Sequence, residues 1–199
     1  MRDFLLASQN TGKLTEMRLL VEGLRFRVVG PRELGLDEAP DETGSSFLEN
    51  ARVKARYYAR RSGLLTVADD SGLSVDALDG APGLYSSRFG GEGASDLARN
   101  LLLLEKLGGL PPEKRGARFT SAVVLTRGDE VLFEAQESVE GRIAEAMRGE
   151  RGFGYDPLFL FPEFGKTFGE VPRADKDRVS HRGKAFARLR AFLARLPGP

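Results

Sequence analysis

Four consecutive stretches near the start decide the fold class: Phe4-Leu5-Leu6-Ala7, Ser8-Gln9-Asn10-Thr11-Gly12-Lys13, the segment from Leu14 to Leu24, and Phe26-Arg27-Val28-Val29. The first is a short apolar run that ends in a polar turn, which reads as a strand. Leu14, Met17, Val21 and Leu24 then recur at helical spacing, the stripe of an amphipathic helix. The fourth stretch is a second strand, closed by Gly30-Pro31. Strand, turn, helix, strand is a βαβ opening, so the chain is expected to be α/β.

The remaining sequence extends this pattern. Ser46-x-x-Glu49 forms a capping box ahead of Phe47, Ala51, Ala55 and Tyr58, and Ser62-Gly63 should stop that helix near Arg61. Leu64-Leu65-Thr66-Val67-Ala68 is nearly all apolar, as in a strand buried on both faces, and it delivers Asp69-Asp70-Ser71-Gly72 to its C-terminal end. A further run, Leu73-Ser74-Val75, follows it. Ser95 caps an expected helix whose apolar side is Leu97, Leu101 and Leu104. Phe119 to Thr126 and Val131 to Ser138 flank Arg127-Gly128-Asp129-Glu130 as an antiparallel hairpin. A Gly/aromatic loop, Arg151 to Pro157, precedes Leu158 to Phe161. A last helix after Ser180 carries Phe186, Leu189, Leu193 and Leu196. About seven strands and four or so helices are expected, in a mixed sheet.

Composition narrows the chemistry. The 199 residues are 41% hydrophobic and 30% charged, with 24 Gly and 10 Pro, an ordinary globular make-up that excludes collagen-like and disordered classes. No apolar stretch approaches the roughly 18 to 20 residues of a membrane span, and Met1-Arg2-Asp3 opens no signal peptide. With no cysteine and one histidine, His181, the chain lacks disulfides, thiolate nucleophiles and two-imidazole metal sites. The formal charge of +1 gives no global field toward nucleic acid. A soluble, cytoplasmic protein is expected, with any catalysis resting on carboxylates, hydroxyls, Lys and Arg, or on a hard metal they hold.

Several clusters are candidates for that chemistry. The turn from Ser8 to Lys13 offers backbone N–H groups at a helix start, which suits a phosphate, yet it is no P-loop: Ala7 stands where the first glycine would be and Leu14 where the metal-binding hydroxyl would be. The alternative is a plain capped helix start. A lysine there opposes the helix dipole unless an anion lies beside it. Asp69-Asp70 at the mouth of a buried strand implies desolvation and mutual repulsion, relieved by Mg²⁺, another cation or a shared proton. Its ordinary reading is an N-cap and a solvated turn residue. Glu42 and Glu49 have structural readings beside a helix N-terminus. Phe153, Gly154, Tyr155 and Asp156 could stack on and read a base, or simply pack into the core. Lys176, Ser180, His181 and Arg182 gather at a helix start, either for an anionic or carbonyl-rich ligand or as surface residues.

Taken together these segments resemble the Ham1-like inosine triphosphate pyrophosphatases. The resemblance spans the chain, 1–199 as one domain, and rests on Ser8-x-Asn10-x-Gly12-Lys13, Glu42-Thr43-Gly44 with Phe47 and Glu49-Asn50-Ala51, Ala68 to Leu73, Gly80 to Ser86, Gly152 to Pro157 and Ser180-His181-Arg182-Gly183. It implies an elongated mixed sheet in two lobes with a cleft between them. It also implies hydrolysis of ITP, dITP and XTP to the monophosphate and pyrophosphate, with Mg²⁺, by a homodimer that binds neither nucleic acid nor membrane. Asp70 would accept the proton of the attacking water and hold the metal with Glu42, with Asp69 close by. Ser8, Gln9, Asn10, Thr11, Gly12 and Lys13 would hold the triphosphate and Ser71 would touch the substrate. Phe153, Gly154, Tyr155, Asp156, Lys176, His181 and Arg182 would line the nucleotide pocket. The rivals are a Maf-like pyrophosphatase for other modified nucleotides and a nucleotide-sensing module without turnover.

Overall fold

In a computed structural model of the protein, the residues described are 1–196. Seven strands form one mixed sheet: β1 (Arg2–Leu6), β2 (Phe26–Val29), β3 (Leu65–Val75), β4 (Gly116–Arg127), β5 (Glu130–Ile143), β6 (Phe159–Phe161) and β7 (Lys166–Thr167), in the order β2-β1-β3-β4-β5-β6-β7. The strands β2 and β3 both run parallel to β1, as the βαβ opening predicts, and β5, β6 and β7 pair antiparallel in turn. The helices are α1 (Thr11–Leu20), α2 (Phe47–Ser62), α3 (Asp96–Lys106), α4 (Arg173–Val179) and α5 (His181–Leu193). The chain divides into two compact units. The first holds Met1–Asp70, Ser121–Glu137 and the residues from Lys184 onward, and the second Ser71–Thr120 and Ser138–Gly183.

In the first unit the sheet is buried on both faces. Phe4, Leu6, Val67, Val123 and Leu125 pack on one face with Met17 of α1 and Phe186, Leu189 and Leu193 of α5. Their chain neighbours Leu5, Ala7, Ala68, Ala122 and Val124 pack on the other, with Ala51, Ala55 and Tyr58 of α2. This two-sided burial is why β1 and β3 read as continuous apolar runs rather than alternating ones. The α2 boundaries follow local chemistry. Ser46 caps it by accepting from Glu49 N, and Gly63 ends it in the left-handed region at φ +69°. The capping box is only half formed, because the Glu49 carboxylate accepts from Ser45 N and Ser45 Oγ, one residue before the cap.

The second unit has one core, in which Leu73, Val75, Leu103, Leu107, Phe119, Ile143, Phe159 and Phe168 meet. Here the sequence expectations need three corrections. The strand β3 does not end at Ala68 but continues through Asp69-Asp70-Ser71-Gly72 to Val75, so turn propensity yields to partners supplied by the fold. The buried face of α3 is turned from the expected one, since a run of leucines offers more than one apolar face: Asn100, Leu103 and Leu107 are buried, whereas Leu97 and Leu101 are 57% and 52% exposed. Finally, β7 and the short α4, which Ser180 separates from α5, carry too little periodicity to be seen in the sequence.

The corrected α3 face has a simple consequence for stability. Leu103→Ala should cost about 2–5 kcal/mol, as for a buried leucine, and Leu101→Ala about 0.5 kcal/mol or less. Paired urea denaturation curves check this, and equal losses would contradict the placement.

Candidate functional site

Each unit carries its own cluster of polar and charged side chains. In the first, side chains alternate along β3, so the consecutive Asp69 and Asp70 point to opposite faces of the sheet. Asp69 lies on the α1 side. Its carboxylate is fully buried, pairs with Lys13 Nζ at 2.7 Å and accepts from Ser121 Oγ at 2.6 Å. Lys13 also donates to the Asp69 carbonyl at 3.3 Å. The anion needed to justify a lysine in the first turn of α1 is therefore Asp69, and Asn10 caps that helix by accepting from Lys13 N. The two carboxylates do not press on each other as a facing pair, and neither is the solvated turn residue that Asp-Ser-Gly chemistry suggests.

Asp70 lies on the α2 side. Asn50 Nδ2 donates to it at 3.3 Å, and Lys54 Nζ sits 3.5 Å from Asp70 and 2.5 Å from Glu42. Asn50 is fixed in turn, because its Oδ1 accepts from Gly44 N at 2.8 Å. Any side chain at residue 44 would start 2.7 Å from Asn50 Oδ1 and 2.8 Å from Glu49 Cβ, so only glycine lets the loop bearing Glu42 fold onto the start of α2. Burial raises the Asp70 pKa above the ordinary carboxylate value; Lys54 and Lys13 pull it down, Glu42 and Asp69 push it up, and the net shift is upward. For Lys54, burial disfavours the charge but the Asp70, Glu42 and Asp69 carboxylates outweigh it, and its pKa rises. Lys54 went unnoticed in the sequence. Its position four residues after Asn50, on the same helical face, was the available signal.

Glu42 and Asp70 both reach one ammonium, so two hard oxygen donors converge on a point already chosen for positive charge. That donor set fits Mg²⁺, which typically takes one or two carboxylates and fills its shell with water and phosphate. Among the described residues no group of three or more acids or histidines is arranged to hold a metal. Asp69, with no side-chain exposure, sits apart from Glu42 and Asp70 on the other face of the sheet. In the loop before α1, Ser8 Oγ accepts from Asn10 N and Gln9 Nε2 donates to the Asp37 carbonyl. Gln9, Asn10 and Thr11 are exposed, and Ser8 and Gly12 are half-buried.

In the second unit, Arg182 donates to Ser71 Oγ at 2.8 Å and its guanidinium lies 4.9 Å from the Phe153 ring centre. Lys176, 8% exposed, pairs with Asp156 at 2.5 Å and stands 5.5 Å from the same ring. Asp156 also accepts from Phe153 N, closing the loop on itself. That closure requires Gly152, where φ is +78° and a Cβ would lie 1.9 Å from Asp156 Oδ2. His181 is no surface residue: it is buried and stacked on Phe119, with centroids 4.6 Å apart and planes 15° from parallel. Tyr155 belongs to the core, its hydroxyl donating to the Ser86 carbonyl, and burial pushes its pKa well up. So the structure brings Phe153, Asp156, Lys176, Arg182 and Ser71 into one linked set, with Tyr155 beneath it.

With this geometry in place, comparison with known proteins is informative. Residues 4–192 match the Ham1 family. The chain is 49% identical over 195 residues to a dITP/XTP pyrophosphatase of Xanthomonas oryzae pv. oryzae, covering 97% of this chain and 98% of that one. It is also 49% identical over 188 residues to a dITP/XTP pyrophosphatase of Thermus thermophilus, covering 94% and 88%. Among solved structures, a HAM1 protein from Coxiella burnetii superposes with a TM-score of 0.89 at 38% identity, covering 98% of this chain and all of that one.

The environment of Asp70 predicts a pH-dependent stability. A carboxyl whose folded-state pKa is raised contributes stability while protonated, fully below about pH 4, and loses that contribution as pH rises through the folded value. Ionised Asp70 is therefore a burden at neutral pH. Thermal melts in metal-free buffer should show Asp70→Asn more stable than wild type at pH 7.5, with the gap closing toward pH 4. A variant less stable at pH 7.5 would contradict this.

Proposed function

This chain belongs to the Ham1 family, and on that premise we propose how its two clusters divide the work of a nucleoside triphosphate pyrophosphatase. The enzyme hydrolyses non-canonical purine nucleoside triphosphates such as ITP, dITP and XTP, a house-cleaning activity in nucleotide metabolism. The observation that carries the assignment of roles is the pair of carboxylates, Glu42 and Asp70, gathered around Lys54.

Asp70 is the general base. Its pKa, raised by burial, moves toward the working range of a group that must take a proton from water and release it again. The deprotonated water oxygen bonds to the α-phosphorus, the bond from that phosphorus to the bridging oxygen breaks, and pyrophosphate leaves with the bond's electrons. Lys13 and Lys54 supply fixed positive charge to the phosphate oxygens, and the backbone N–H groups of the exposed Gln9 and Thr11 bind them further. Glu42 and Asp70 are the residues that would hold Mg²⁺. When bound, the ion adds positive charge against the triphosphate. Asp69 acts through Lys13, keeping its ammonium in place.

The base is handled by the second cluster. Phe153 offers a ring face, and Arg182 and His181 are donors suited to the C6 oxygen that hypoxanthine and xanthine share. Adenine presents an amino group there, and a buried donor left facing it costs roughly 1–3 kcal/mol. We also propose that the enzyme works as a homodimer in the cytoplasm. Tyr85, Leu97 and Leu101, all more than half exposed, support the first by offering apolar surface for a second copy. The second follows from where free nucleotides are kept.

Pyrophosphate release from ITP, XTP, GTP, ATP and dTTP, with and without Mg²⁺, tests the reading. The expected result is Mg²⁺-dependent release from ITP and XTP with little from the other three. Asp70→Asn should lower kcat by about 10²–10⁴-fold, the usual contribution of a general base, while still binding ITP. Orthophosphate as the product, or equal rates on all five, would overturn it.

A further inference from the structure

The loop that carries Phe153 and Asp156 is held from outside by α3. Gly154, in the left-handed region at φ +62°, has both backbone polar groups captured by side chains of that one helix. Its N–H donates to Asp96 Oδ2 at 2.7 Å, and its carbonyl accepts from Asn100 Nδ2 at 2.9 Å. Asp96 and Asn100 are four residues apart and so share a helical face. Asp96 is itself braced by Arg99, which also donates to the Ser87 and Ala94 carbonyls. A glycine in a loop is the residue with most conformations to lose. Here two side chains from a regular element remove that freedom directly beside Phe153, the ring over which Arg182 and Lys176 stand.

Asn100 shows that this contact is not placed for stability alone. It is 2% exposed, and its Oδ1 is buried with no hydrogen-bond partner. A leucine would fill the same space without an orphaned acceptor, at the cost only of the one hydrogen bond to the Gly154 carbonyl. The amide is instead fixed with its donor toward Gly154, since the reverse orientation would set two carbonyl oxygens against each other.

We propose that Asp96 and Asn100 are positioning residues for base selection, pinning Gly154 so that Phe153 and Asp156 are preset for an oxopurine. This rests on the assignment of the second cluster to the base. With the pin removed the loop must be ordered by the substrate itself, which weakens binding of the preferred base and blurs discrimination. The phosphate chemistry of the first cluster is untouched.

The test measures kcat and KM for XTP and ATP, together with melting temperature, in wild type, Asp96→Ala, Asp96→Asn and Asn100→Leu. Asp96→Ala and Asn100→Leu should lower the XTP-over-ATP ratio of kcat/KM by roughly tenfold, the loss of about one hydrogen bond. The change should lie in KM for XTP, with kcat within about twofold. Asp96→Asn retains an oxygen acceptor for Gly154 N and should keep the wild-type ratio. Asn100→Leu strands the Gly154 carbonyl but removes the orphaned acceptor, and should melt within about 5 °C of wild type. An unchanged ratio in both Asp96→Ala and Asn100→Leu, or a loss confined to kcat, overturns the proposal. A wild type that releases no pyrophosphate from XTP overturns the underlying assignment instead, and this proposal with it.

Discussion

The buried ion pair between Lys13 and Asp69 is the contact on which the first unit's chemistry depends. Asp69 has no solvent exposure, so its charge is tolerable only because the lysine and the Ser121 hydroxyl meet it directly. The same contact ties the first turn of α1 to the middle of β3, which fixes the loop from Ser8 to Asn10. It also settles the parity of β3. With Asp69 turned toward α1, Asp70 must turn toward α2, where Asn50 and Lys54 await it. One strand thereby serves two helices with two carboxylates, and each helix answers with a lysine. The arrangement keeps two adjacent acids apart, one carboxylate paired with Lys13 and the other with Asn50 and Lys54.

Much of this was legible in the sequence because it is written in local terms. The βαβ opening, the Ser46 cap, the Gly63 stop and the apolar face of α5 are each decided by a few neighbouring residues. The composition narrows the chemistry to carboxylates, hydroxyls, lysine, arginine or a hard metal. What could not be read were features that depend on a distant partner. Asp-Asp-Ser-Gly is a turn by propensity and a strand in fact, because Lys13, Ser121 and Asn50 arrive from elsewhere in the chain. The burial of His181 needs Phe119, sixty-two positions earlier in number and on strand β4. Four consecutive leucines, Leu101 to Leu104, hid the true face of α3 because any phase of the helix finds one.

The second unit solves a different problem, how to hold a loop rich in glycine in one conformation. It uses no regular ladder there. Asp156 closes the loop on Phe153 N, Lys176 neutralises Asp156, and α3 grips Gly154 from the far side. The aromatic rings then have fixed cations above them, an arrangement whose worth grows as water is excluded. Rigidity is thus assembled from side-chain contacts around a backbone that has little of its own.

The alternation along β3 has one more consequence, for how such a sequence can change over time. Substitutions between Leu65 and Gly72 are judged one residue at a time by what each side chain touches. A change in length is judged differently. Gaining one residue ahead of Asp69 moves Asp69 into Asp70's surroundings and leaves Lys13 facing Ala68, and losing one moves Asp70 into Asp69's and leaves Lys54 facing Ser71. The segment is therefore free to vary in composition at its apolar positions but not in count, and drift in length has to be absorbed by the connections outside the strand.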